Sequence, residues 1–162
     1  MVVSISAARV APITEDLTTE ELRLSITRGL ETMHRVDAKL ATTDTALGLG
    51  EWAVLNSDGK AERAGATPVG NTYLVFAGTD RFDVKATGQV TLVSSWPIRA
   101  KSNVYDDGQS YAVGDLLTVK DLGGGESALT KAATGEAALA RVVTVGSGWL
   151  EYETLGGGFE AP

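Results

Sequence analysis

The chain has 162 residues, 43% hydrophobic and 22% charged, enough apolar content for one folded body and too much for a disordered chain. It carries a net charge of −7, and its 14 basic residues form no run of three, which argues against a nucleic-acid or anionic-membrane partner. There is no cysteine, so disulfides, thiolate metal sites and thiol nucleophiles are excluded, and 19 Gly against 4 Pro point to many tight turns between short strands.

Residues 1–17 show no sustained period and contain the breaker Pro12, and an extended N-terminal arm is expected there. Arg9 interrupts the apolar patches of this stretch, so no signal peptide is expected. No run approaches the roughly 18–20 apolar residues that span a bilayer.

Residues 18–47 read as a helical segment. Thr18 and Glu21 fit a capping box, and Leu22, Ile26, Met33, Val36 and Leu40 place one apolar stripe along a helix over about 19–40. The stripe suits packing on its own subunit or on a neighbour. Thr42-Thr43-Asp44-Thr45 has poor helix propensity and ends the element.

From Gly50 the period falls to two, and residues 48–155 read as a β body. Glu51–Asn56 runs into the Asp58-Gly59 turn and returns through Ala61–Ala64 as a hairpin. Strands are expected at Tyr73–Ala77, Arg81–Ala86, Gln89–Trp96, and more weakly at Ile98–Val104. Tyr105–Gln109 reads as an exposed loop. Leu116–Lys120, Ala128–Ala132, Ala137–Val145 and Trp149–Thr154 complete the set, with Gly turns at 123–125 and 146–148. Residues 156–162 read as a flexible tail. The fold class is therefore mainly β, a small sandwich or barrel body with an arm and one amphipathic helix.

One internal echo is visible. Gly50-Glu51 opens a strand, a turn and a return strand, and Gly114-Asp115 opens the same sequence of features. Two copies of a hairpin-plus-strand unit is one reading; coincidence in a Gly-rich chain is the other.

Candidate chemistry is sparse. His34 is the single histidine and has no partner at metal-ligand spacing, so the usual nucleophile–base pairs and zinc sites cannot be assembled in one subunit. The carboxylate pairs Asp80/Asp83, Asp106/Asp107 and Glu151/Glu153 sit at turns or alternate on a strand, where solvated surface is the ordinary role. The triplets Gly123-Gly124-Gly125 and Gly156-Gly157-Gly158 lack the Lys-Ser/Thr of a phosphate loop. No catalytic residue, cofactor or metal is expected. Candidate interface residues are Leu22, Ile26 and Met33 on the stripe, with Trp52, Trp96 and Trp149 as aromatic anchors or core.

Four stretches, Gly50–Ala64 (GEWAVLNSDGKAERA), Phe82–Val93 (FDVKATGQVTLV), Tyr105–Lys120 (YDDGQSYAVGDLLTVK) and Leu129–Val143 (LTKAATGEAALARVV), resemble the head decoration, or capsid cement, proteins of tailed bacteriophages. The resemblance implies a non-enzymatic virion protein, made in the host cytoplasm, that docks on the outer capsid surface. It also implies a homotrimer at three-fold positions that clamps neighbouring major capsid subunits against internal DNA pressure. A tail-tube or head–tail connector subunit and a carbohydrate-binding β module are the alternatives.

Overall fold

The computed structural model describes residues 24–29, 34–41, 47–65, 72–77, 88–93, 97–123 and 126–162. These form eleven strands in two antiparallel sheets that share a core, as in a β-sandwich. The expected arm at 1–17 and the expected strand at 81–86 lie outside the described residues, as do Leu22, Met33 and Trp96.

The first strands correct the helical reading of 18–47 where that segment is described. Ser25–Arg28 forms β1 and Arg35–Lys39 forms β2. The physical reason lies in the spacing itself. Steps of four, such as Val36 to Leu40, are even, so they satisfy an alternation as well as a helical turn. Arg35-Val36-Asp37-Ala38-Lys39-Leu40 alternates strictly, and its charged members are exposed while Ala38 is buried. Pairing with a neighbouring strand decided between the two periods.

One sheet takes β2, then β3 (Trp52–Leu55), β4 (Ala61–Arg63), β5 (Thr72–Ala77) and β6 (Gln89–Val93), in the order β2-β6-β5-β3-β4. Its two ends meet. Leu40, just past β2, forms a parallel bridge to Ala61 of β4, and the Ala41 N–H donates to the Ala61 carbonyl at 3.0 Å. The rolled sheet encloses Ala38, Leu47, Ala53, Ala61, Val75, Val90 and Leu92.

The other sheet takes β1, β7 (Arg99–Ser102), β8 (Leu116–Gly123), β9 (Glu126–Lys131), β10 (Ala137–Gly146) and β11 (Trp149–Glu160), in the order β1-β7-β11-β10-β8-β9. It too is joined end to end. Tyr105, just past β7, bridges Leu129 of β9 in parallel, and the Asp106 N–H donates to the Leu129 carbonyl at 2.8 Å.

With β1 set aside as a flanking strand, the two sheets have the same strand order and the same closing bridge. The registers agree as well. Ala53 faces Arg63 and Tyr73, as Leu117 faces Lys131 and Ala140; Leu55 faces Ala61, as Val119 faces Leu129. The described residues thus contain two copies of one five-stranded rolled unit, and the echo in the sequence belongs to a structural repeat. A rolled unit leaves few open strand edges, since each end of the sheet pairs with the other.

The tail reading of 156–162 is also corrected. Strand β11 runs to Glu160, Phe159 pairs with Ala138, and the Ala161 N–H and carbonyl bond Glu136 and Gly135 at 2.9 and 2.8 Å. The register shifts between Ala138 and Ala140, so the Gly156–Gly158 run bulges out and pairing resumes beyond it.

Candidate functional site

Each unit opens on the same turn. In the first, the Glu51 N–H donates to the Gly48 carbonyl at 3.1 Å, and the Gly48 N–H donates to Glu51 Oε2. In the second, the Asp115 N–H donates to the Ala112 carbonyl at 3.1 Å, and the Ala112 N–H donates to Asp115 Oδ2 at 2.8 Å. Gly50 and Gly114 occupy the third turn position with φ of 86° and 95°, a left-handed conformation that glycine adopts without Cβ strain. The turn then locks to the middle strand of its unit. The Gly50 N–H donates to the Val75 carbonyl at 3.0 Å, and the Gly114 N–H to the Val142 carbonyl at 2.9 Å.

An ion pair closes each turn onto its hairpin: Arg63 Nε lies 3.2 Å from Glu51 Oε1, and Lys131 Nζ lies 2.8 Å from Asp115 Oδ2. The Lys131 hydrogen bond holds the Asp115 carboxyl below the ordinary carboxylate range; burial opposes it, and the Ala112 N–H and the Lys131 charge add to the lowering.

The surroundings of the two turns differ sharply. Glu51 is 2% exposed, and its Oε1 also accepts the Ser127 N–H of β9 at 2.9 Å, so it ties the first unit to the second. Leu49 is 0% exposed and belongs to the core cluster that holds Leu117, Leu129 and Tyr152. Val113 holds the position of Leu49 in the second unit and is 71% exposed. Sequence reasoning passed over Val113 because a lone valine beside a turn glycine carries no pattern of its own.

Of the interface candidates among the described residues, Ile26 and Trp52 share one core cluster, and Trp149 lies outside it. Ile26 and Trp52 are core side chains, each 3% exposed. Trp52 meets Tyr152 with ring centroids 6.4 Å apart, joining the outer face of the first unit to the second. Trp149 is half-buried near the tip of the β10–β11 hairpin. It lies over Gly146, where any Cβ would collide with the indole, and Lys101 Nζ stands 4.5 Å from its ring centroid.

The carboxylates fill structural positions. Glu151 accepts from Thr27 at 2.9 Å and from Thr144 at 3.1 Å, and Glu153 pairs with Arg99 at 3.0 Å. Asp106 organises its own turn, accepting from the Gly108 N–H at 3.1 Å and the Gln109 amide at 3.3 Å. Asp80 and Asp83 lie outside the described residues. His34 is exposed. Among the described residues no three His, Cys, Asp or Glu side chains are grouped to hold a metal ion.

Beside the Asp106 turn, Tyr105 and Tyr111 meet edge to face at 5.6 Å, and the Tyr111 hydroxyl donates to the Asp106 carbonyl at 2.8 Å. Burial, then the Asp106 carboxylate, pushes the Tyr111 phenol up to about 12. Burial also raises Tyr152 and, with Asp107, Tyr105. A raised phenol favours folding while protonated. Its contribution is complete below pH about 10, where the unfolded phenol ionises, and is lost as pH rises through the folded value. Stability measured by denaturant should therefore fall between pH about 10 and 12, with phenolate absorbance appearing late and together with unfolding. Phenolate formation at about pH 10 in a chain that stays folded would contradict this.

Comparisons of the chain with protein-family models, with curated proteins and with solved structures find no match.

Proposed function

We propose that this chain is a virion structural protein that docks on the outer surface of a phage capsid and stabilises contacts between major capsid subunits. The observation that carries the reading is where the resemblant stretches fall. Gly50–Ala64 covers the second half of the opening turn and the first hairpin of one unit, and Tyr105–Lys120 with Leu129–Val143 covers the opening turn, much of the hairpin and most of β10 in the other. The fourth stretch, Phe82–Val93, ends on β6, so the likeness touches both units.

A repeated, rolled β unit suits this role physically. It offers two related surfaces on one chain, so a single copy can touch two neighbouring subunits, and many weak contacts summed over a shell stabilise it. The partners are the major capsid protein and further copies of this chain in a homotrimer, and the working surface is the virion exterior.

The test is to add purified protein to cognate capsids lacking it. Saturable binding and a higher capsid disruption temperature are expected. Absence of binding, or binding that leaves the disruption temperature unchanged, overturns the reading; assembly into tubes in its place favours the tail-tube alternative.

A further inference from the structure

Each rolled sheet begins on a strand whose outer edge lies open ahead of the closing bridge, β2 in one unit and β7 in the other. The two strands match residue for residue. Val36 pairs with Leu92 and Leu92 with Val75, as Ala100 pairs with Tyr152 and Tyr152 with Val142. Val75 and Val142 accept the equivalent turn bonds from Gly50 and Gly114. Arg35 therefore corresponds to Arg99, and Asp37 to Lys101.

The direction of the backbone groups follows from the bonds at the strand ends. The Thr154 N–H donates to the Ile98 carbonyl at 2.8 Å, and bonding alternates along an antiparallel pair. Ala100 thus faces β11, while Arg99 and Lys101 turn their N–H and C=O groups outward, where β1 pairs with them. In the first unit the Leu40 N–H donates to the Gly88 carbonyl at 3.0 Å, so Val36 and Ala38 face β6, and Arg35 and Asp37 turn outward. Among the described residues no strand takes the place of β1 here: β2 ends its sheet, and Arg35 and Asp37 are exposed.

We propose that this edge of β2 pairs with the same edge of a second copy of the chain, antiparallel about a two-fold axis at Val36. The occupant follows from charge and register. Outward-facing residues must oppose each other across the new pair. An axis at Arg35 or at Asp37 sets like charges opposite each other. An axis at Ala38 needs the outer edge at Lys39, where the Leu40–Ala61 bridge closes the sheet. An axis at Val36 sets Arg35 opposite Asp37 of the second copy, and by symmetry the favourable pair occurs twice.

Both charged side chains are already held beside the edge. Asp37 accepts the Thr91 hydroxyl at 2.7 Å, and the Arg35 guanidinium lies 4.8 Å from the Phe76 ring centroid. Val36 is half-buried against the core of its own unit and meets its copy at the axis, which covers the rest of it. Unpaired N–H and C=O groups invite an added strand, and β1 on β7 is the same addition made within one chain. The contact requires only the chain itself. Its two-fold symmetry sets it apart from the three-fold contact of the capsid reading, and it stands if that reading falls.

The chain has no cysteine, so one introduced thiol reports on the axis. Facing residues that are not hydrogen-bonded to each other lie about 4.5 Å apart at Cα, within disulfide reach. Full-length Val36→Cys, treated with oxidised glutathione, is expected to form a disulfide-linked dimer. It should do so at least about tenfold faster than Ser57→Cys, on the exposed β3–β4 turn. In the V36C background, Arg35→Asp or Asp37→Arg sets like charges opposite each other twice and should slow cross-linking about tenfold. Mixing the two charge variants places opposite charges at both positions again and should recover cross-linking as a heterodimer. A V36C chain that cross-links no faster than S57C, a charge variant that cross-links like its parent, or a mixture without recovery would each overturn the proposal.

Discussion

Glu51→Ala should destabilise the chain by about 3–5 kcal/mol, because it removes a buried carboxylate whose partners stay behind. Four donors depend on that group: Arg63 Nε at 3.2 Å, the Ser127 N–H at 2.9 Å and hydroxyl at 3.5 Å, and the Gly48 N–H. The Ser127 N–H reaches it from the second unit, in a buried contact where water does not replace the lost acceptor without opening that contact. Glu51→Gln keeps one acceptor oxygen and should lose less, about 1–3 kcal/mol.

The repeat supplies an internal control. Asp115 makes the same turn and the same kind of ion pair in the second unit, with Ala112 and Lys131 as partners. Its surroundings are wet, so Asp115→Ala should cost no more than about 1 kcal/mol. Denaturant unfolding of the pair of variants reads the difference directly. Equal losses would mean that the Glu51 link between the units contributes nothing.

Tyr152 gives the second large effect, and the sign changes with the replacement. Its ring is fully buried against Trp52, Ala100 and Val142, so Tyr152→Ala should cost about 3–5 kcal/mol in lost contacts and cavity. The hydroxyl, in contrast, meets no hydrogen-bond partner among the described residues. Tyr152→Phe removes an unsatisfied polar atom and keeps the ring, and should leave stability unchanged or raise it by about 1 kcal/mol. A loss of more than about 1 kcal/mol in Tyr152→Phe would show that the hydroxyl is paired after all. Thermal and denaturant unfolding of both variants decide the matter.

Much of the β body was legible because its strands alternate and its turns carry glycine at the position that needs a left-handed backbone. Glu51–Asn56 contains β3, Ala137–Val145 nearly coincides with β10, and Asp58-Gly59 sits in the hairpin turn between β3 and β4. The helical reading failed at Ser25–Arg28 and Arg35–Lys39 because apolar steps of four fit both periods, and only a partner strand separates them. The tail reading failed for a related reason. Three successive glycines carry no side-chain pattern, and their strand exists because Ala137 and Ala138 pair with Glu160 and Phe159.

The tryptophans show the same limit. Trp52 and Trp149 both sit on strands, and nothing local distinguishes the one buried against Tyr152 from the one laid over Gly146 near a hairpin tip. Which face of a strand is covered depends on the neighbouring sheet.

The β character, the turns, the absence of cysteine chemistry and the echo between Gly50-Glu51 and Gly114-Asp115 follow from residue order alone, because composition and short-range periodicity are local properties. Only the tertiary structure decided that the echo marks two units of one strand order, since strand order is a matter of long-range hydrogen bonds. It alone separated Leu49 from Val113, two similar side chains on two identical turns. One turn meets the second unit at Ser127 and is buried; the other faces solvent.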